Sequence, residues 1–326
     1  MTAEQYTAIT NTLAEIIRGT EWEGHVYAVG GCVRDKIMKH EIHDIDLAVT
    51  TPNGGILFSL WLWKHKLTAR GRKPLTFEHF GTAKFRLRAY TLFEIDCVQT
   101  RKGRYVYEEE PKPLENFGTI EEDCMCRDLT INSLLINIST GELLDPTGRG
   151  LEDIHAHIIR TPNDPDISLR DNAMHILRCI RFAVKYGWAL SPELMEAMKR
   201  NVDIVGEATT KRMVKELLSI MRLQDRDKAF EIIKEVGAWE YVEPYITLAK
   251  QAREEKRAMR RNKYQLSKNG GSTNGKGNPD KTGRGKTSTA KAKAISKSKR
   301  RRDQRRRAKE RKEARARAHA MTTSTT

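Results

Sequence analysis

The chain has 326 residues, of which 31% are charged and 38% hydrophobic, and a formal net charge of +16. That length holds one or two compact domains with a sizeable core, and there is no N-terminal signal region and no run of about 18 apolar residues to suggest a membrane protein. The charge is uneven: 26 Lys/Arg and 6 Asp/Glu fall from Gln251 onward, leaving residues 1–250 with a net −4. The folded part is therefore mildly acidic, and the tail is the part that attracts polyanions.

In chain order, Tyr6, Ile9, Leu13, Ile16 and Ile17 have helical spacing and predict an amphipathic opening helix. His25–Val29 reads as a strand, Gly30-Gly31 breaks it, and Cys32–Lys39 reads as a helix. Asp44-Ile-Asp-Leu-Ala-Val49 alternates with period two, as in a strand with one buried face. Ile56–Trp63 is a core helix, too short to cross a bilayer, and Phe77–Leu87 and Leu92–Val98 are further strands. A polar stretch from Arg101 to Glu115, with Gly103, Pro111 and Pro113, predicts a mobile loop.

From Glu121 the pattern turns mostly helical, with one extended piece near Glu142–Asp145 and helices over Ser168–Tyr186, Pro192–Arg200, Thr210–Met221 and Arg226–Val236. Ser267–Ser288 has linker composition, and Lys297–Arg317 is dense in basic residues without an apolar face. Cys32, Cys97, Cys124, Cys126 and Cys179 lie in apolar or helical stretches with no zinc-knuckle spacing, so reduced thiols in a cytoplasmic protein are expected. The expected class is α+β, with a small mixed sheet first and helices second.

Asp44 and Asp46 alternate along one strand, so both carboxylates point to one face. Held close together they repel, and a divalent cation relieves that repulsion; magnesium favours such oxygen ligands. Asp96, on a later strand, is a candidate third carboxylate, and three on adjacent strands suit two-metal phosphoryl transfer. Ahead of them, Gly30 and Gly31 let backbone approach a phosphate, and Arg34 sits in the first turn of a helix whose N-terminus favours an anion.

Gly30-Gly31-Cys32-Val33-Arg34-Asp35 followed by Asp44-Ile45-Asp46 resembles the class II tRNA nucleotidyltransferase (CCA-adding) and bacterial poly(A) polymerase family. Further resemblances keep that order. They are Phe80-Gly81-Thr82, Asp96 through Arg101, Cys126-Arg127-Asp128-Leu129-Thr130-Ile131-Asn132-Ser133-Leu134, Asp145-Pro146-Thr147-Gly148 with Leu151 and Asp153, Leu177-Arg178 with Arg181-Phe182, and Arg212 with Glu216.

The resemblance covers roughly residues 20–245. It implies a polymerase-β-type head at 1–138, a helical neck and body at 139–250, and a disordered basic tail at 251–326. It also implies magnesium at Asp44 and Asp46 with Asp96 as third carboxylate, and a nucleotide held by Gly30, Gly31, Arg34, Arg127 and Asp128. The implied activity adds NMP from CTP or ATP to a tRNA 3′ end. The alternatives are an A-adding enzyme or poly(A) polymerase on other RNA, or a non-catalytic RNA-binding homologue. The basic tail is expected to contact RNA phosphates in place of the family's further helices.

The family reads the base from a neck helix with Asp, Arg, Arg and Arg every three positions; here those positions hold Asn172, His175, Arg178 and Arg181. Asn172 can accept or, if its amide turns, donate, and His175 can donate through one ring nitrogen. Relaxed or altered nucleotide choice is therefore expected. Cys126 and Lys211 also depart from the family pattern, away from the expected metal site.

Overall fold

A computed structural model describes residues 1–103 and 116–269. Contacts divide the chain into Met1–Asn262 and Lys263–Thr326, and of the second unit only the helical residues 263–269 are described.

The chain opens with helix α1 (Ala3–Ile17), closed at its start by a capping box in which Thr2 and Gln5 exchange side-chain and backbone bonds. Its buried face, Tyr6, Ile9, Leu13 and Ile17, is the one the spacing predicts. Strand β1 (Val26–Val29), helix α2 (Gly31–Ile37), strand β2 (Ile45–Val49) and helix α3 (Gly54–Lys64) follow. The packing of α3 requires glycine: a Cβ on Gly55 would lie 2.8 Å from the carbonyl oxygens of Cys97 and Gly81.

Strands β3 (Leu75–Phe77), β4 (Thr82–Phe85) and β5 (Ile95–Gln99) come next, then α4 (Ile120–Met125), β6 (Leu135–Asn137) and β7 (Leu143–Leu144). The strand expected over Phe77–Leu87 is two strands, because Glu78–Phe80 forms a 3-10 turn ending at Gly81, whose φ is +61°. The expected loop beyond Gly103 lies outside the described residues.

These strands form one mixed seven-stranded sheet in the order β3-β4-β5-β2-β1-β6-β7, with β2 and β5 parallel and all other neighbours antiparallel. Strand β6 was not expected, since three residues are too few for periodicity to show; with β7 it carries the sheet past residue 138. Alternation sorts the two faces. Val26, Ala28, Ile45, Leu47, Val49, Ile95 and Cys97 face the core that contains Tyr6, Leu13, Phe58 and Leu62. Tyr27, Val29, Ala48 and Leu135 pack on the opposite face with Cys124 of α4.

The helical part comprises α5 (Gly150–Ala156), α6 (Pro165–Arg170), α7 (His175–Tyr186), α8 (Pro192–Arg200), α9 (Thr210–Ile220), α10 (Arg226–Glu235) and α11 (Trp239–Asn269), with a short parallel pair β8 (Ile158–Ile159) and β9 (Ala189–Leu190). The helix expected over Ser168–Tyr186 is two helices. Asn172 Oδ1 accepts from the Met174 amide at 3.0 Å, and this side-chain bond competes with helix continuation. Helix α11 likewise continues to Asn269, so residues 251–269 are helical rather than disordered; Arg, Lys, Glu, Gln and Ala are strong helix formers even without an apolar face. The linker and basic run beyond it lie outside the described residues. All five cysteines are free, and Cys126 alone is less than fully buried. Among the described residues no helix is long and apolar enough to cross a membrane.

Candidate active site

Asp46 stands directly across from Asp96 on the parallel strands β2 and β5, and Lys84 stands across from Asp96 on β4. Alternation puts all three on the α4 side of the sheet, with exposed Asp44 one residue before β2 and on the same face. Burial and the charges of Asp96 and Asp44 push the Asp46 carboxyl up to about 6, against the pull of Arg127 and Lys84. The charges of Asp96 and Asp44 thus bear on Asp46. Asp96, however, is not a free ligand: Lys84 Nζ contacts both its oxygens. Among the described residues no group of three His, Cys, Asp or Glu side chains is arranged to hold a metal ion. The donor set fits a divalent cation at Asp44 and Asp46, while Asp96 as it stands is held by an ammonium.

Gly30, with φ +73°, is the turn residue between β1 and α2, and a Cβ there would lie 3.3 Å from Arg127 Nη1. A Cβ on Gly31 would meet Arg34 Nη2 at an ordinary 3.5 Å. The turn therefore adjoins both arginines. Arg34 is only 4% exposed; its Nε donates to Asp35 Oδ1 at 2.8 Å, its Nη1 donates to Asn132 Oδ1, and its guanidinium lies over Phe182 and Tyr186. The anion expected beside this cation is thus supplied by the neighbouring Asp35. Asn132 also donates from Nδ2 to Asp128 Oδ1 at 3.0 Å, so it couples Arg34 to Asp128.

Arg127 pairs with Asp123 one helical turn earlier, with Nη2 2.6 Å from Oδ2. Asp128 is buried and accepts from Arg178 Nε at 2.8 Å. Burial opposes its ionisation, but Arg178, His175 and the Asn132 bond outweigh burial and hold its carboxyl below the usual range. Arg181 pairs with Glu216 and lies 4.4 Å over the Phe182 ring.

Arg127, Asp128, Asn172, His175, Arg178 and Arg181 line one cavity of about 470 Å³, the six residues that sequence reasoning placed around a nucleotide beyond the glycine turn and Arg34. Arg101, Arg212, Lys215 and Glu216 complete its polar wall. Among the described residues six basic and two acidic groups line the cavity, with Arg127 also paired to Asp123, a balance that favours an anion. Asn172 is not on the helix with the other three expected base and phosphate contacts; it occupies the joint between α6 and α7.

Sequence reasoning assigned no role to Lys84, Asp123 or Lys215, and quoted Asn132 and Arg212 without one. Asp123 was detectable from its i, i+4 spacing to Arg127. Lys84 was not, because its place beside Asp96 depends on the register between β4 and β5.

This sheet, the carboxylate strands and the glycine turn form an α+β domain with a mixed sheet, followed by a helical region. Residues 26–160 match the family described as the Poly A polymerase head domain. It is 32% identical over 228 residues to the tRNA nucleotidyltransferase cca1 of Schizosaccharomyces pombe, covering 66% of this chain and 45% of that one. It is 34% identical over 181 residues to the mitochondrial CCA tRNA nucleotidyltransferase of Saccharomyces cerevisiae, covering 52% and 32%. In fold it is similar to an apo CCA-adding enzyme, with a TM-score of 0.60 at 24% identity over 74% of this chain and 53% of that one. The chain spans about a third to a half of the length of these curated relatives.

Proposed function

We propose that this protein is an RNA nucleotidyltransferase that joins a nucleoside monophosphate to the 3′ end of a tRNA or tRNA-like acceptor. The observation that carries this is the basic cavity, whose Arg127 also acts on the Asp46 carboxylate, in a chain similar to relatives named for CCA addition. The RNA 3′-hydroxyl attacks the α-phosphate, the bond to the β-phosphate breaks, and pyrophosphate leaves.

The triphosphate is drawn in by the surplus of arginines, whose planar forks grip phosphate oxygens at two points. Arg178 is held by Asp128 and Arg181 by Glu216, so both are positioned before any ligand arrives. Asp44 and Asp46 would hold a divalent ion, for which magnesium is the expected choice. When bound, such an ion offsets the negative charge of the triphosphate and of the developing alkoxide. The charges of Asp96 and Asp44 that bear on Asp46 are the local reason a cation is favoured there. The basic tail adds phosphate contacts that do not depend on RNA sequence.

The test is incorporation of labelled nucleotide on tRNAs ending before CCA, after C and after CC, with Asp44→Ala alongside. Transfer that vanishes with Asp44→Ala is the expected result. Transfer that survives it, or RNA binding with no transfer by the intact protein, overturns the reading.

A further inference from the structure

Part of the cavity wall is formed by two neighbouring neutral side chains, Asn172 and His175, whose hydrogen-bonding capacity is already half committed. Asn172 Oδ1 accepts from Arg212 Nη2 and from the Met174 amide at 3.0 Å. Two donors on one oxygen fix the amide orientation, so Nδ2 is the end turned outward from these partners, and it offers N–H. His175 is 6% exposed, and its Nδ1 lies 2.6 Å from the carbonyl oxygen of Ser168. A carbonyl only accepts, so Nδ1 carries the proton. Burial keeps the ring neutral against the pull of Asp128, so Nε2 is the ring's acceptor nitrogen. The two residues adjoin through a 2.8 Å bond from the His175 amide to the Asn172 carbonyl, and both line the cavity.

We infer that this pair presents a donor beside an acceptor and selects bases that carry a carbonyl next to a ring N–H, namely guanine and uracil. Guanine offers O6 and N1–H, and uracil offers O4 and N3–H, each complementary to Asn172 Nδ2 and His175 Nε2. Adenine and cytosine present the opposite order, an exocyclic amine beside a bare ring nitrogen. Against this pair they set donor on donor and lone pair on lone pair. A buried polar group left without its partner loses far more than one hydrogen bond normally contributes, so discrimination of at least about tenfold is expected. The amide is not free to turn and accept all four bases, because turning it would set Nδ2 against Arg212 and the Met174 N–H.

The inference rests on the cavity being the nucleotide site. It is tested on the full chain by equilibrium binding of GTP, UTP, CTP, ATP, ITP and N3-methyl-UTP, with incorporation onto an RNA 3′ end measured separately. GTP, UTP and ITP should bind at least tenfold tighter than CTP and ATP, and N3-methyl-UTP should lose the advantage of UTP because its ring nitrogen carries no proton. Asn172→Asp keeps an oxygen toward Arg212 and Met174 but turns a second oxygen outward. It should bring CTP and ATP level with or above GTP and UTP. Equal binding of all four, preference for CTP and ATP, unchanged binding of N3-methyl-UTP, or no binding at all overturns the inference. Ranking as expected without incorporation would leave the inference standing and remove the transfer reading; incorporation favouring C and A would do the reverse.

Discussion

The Lys84 ammonium straddles the Asp96 carboxylate, with Nζ 2.6 Å from Oδ1 and 2.5 Å from Oδ2. Asp96 is in turn the strand neighbour of Asp46. Burial works against the ammonium, but Asp96, Glu94 and Asp44 more than offset it and raise its pKa. Lys84 therefore acts as a resident monovalent counterion among the carboxylates, in competition with any divalent ion there.

Lys84→Met tests that competition. The side chain keeps its length and loses its charge, freeing both Asp96 oxygens. Removing a cation from beside two carboxylates favours binding of another cation. Because Lys84 is 37% exposed and Asp96 35%, solvent screening limits the effect. Manganese should bind roughly 3- to 10-fold more tightly, read by electron paramagnetic resonance titration. Unchanged or weaker affinity would show that Asp96 takes no part in cation binding.

Asp46 gives a pH prediction in protein treated with a chelator. Its carboxyl moves from 3.8 to about 6. A raised carboxyl penalises the folded state once ionised, so the cost is fully present above about pH 6 and is relieved as pH falls through 6 towards 4. Asp46→Asn removes the charge at nearly constant shape. It should stabilise the chelated protein by about 1–2 kcal/mol at pH 7.5, discounted for partial exposure, and by almost nothing at pH 4. Thermal melts at the two pH values measure this. Added divalent cation should stabilise the wild type and leave Asp46→Asn unmoved.

The carboxylate strands were readable because period-two alternation fixes which face a side chain occupies whatever its neighbours are. The glycine turn was readable for a similar local reason. Other parts of the site depend on partners that local pattern does not specify. Lys84 meets Asp96 only through the β4–β5 register, and Arg34 is satisfied by Asp35 and Asn132 rather than left open for a phosphate. Asn172 looked like part of a helical stripe because Leu169, Ala173 and Leu177 continue the apolar periodicity through it. Its own side-chain bond to Met174 breaks the helix, a competition that hydrophobic spacing does not register.

Gly30 and Gly31 are adjacent but should respond differently to a methyl group. Gly30 has φ +73°, and its added Cβ would stand 3.3 Å from Arg127 Nη1, so Gly30→Ala meets both backbone strain and a close contact. About 1–3 kcal/mol of stability should be lost, together with most nucleotide binding as Arg127 shifts. Gly31 lies within α2, and its added Cβ meets Arg34 only at 3.5 Å. Gly31→Ala should change stability by less than about 1 kcal/mol. Chemical denaturation of both variants gives the comparison, and equal losses would mean that the turn conformation is not what requires Gly30.

Asp128 behaves in the opposite sense to Asp46. Its carboxyl is held below the usual 3.8 by Arg178, His175 and Asn132, which together outweigh burial. A lowered carboxyl contributes stability that is present above the unfolded value and is lost as pH falls below it. Asp128→Asn leaves Arg178 without its counter-charge and should cost about 2 kcal/mol at pH 7, less than a fully buried pair because Arg178 stays 35% exposed. The deficit relative to wild type should shrink only below about pH 4, where the wild-type carboxylate also begins to lose its advantage. Denaturant titrations at pH 7 and pH 3 test this; a deficit that is constant across that range would place the stabilisation in packing rather than in the Asp128–Arg178 charge pair.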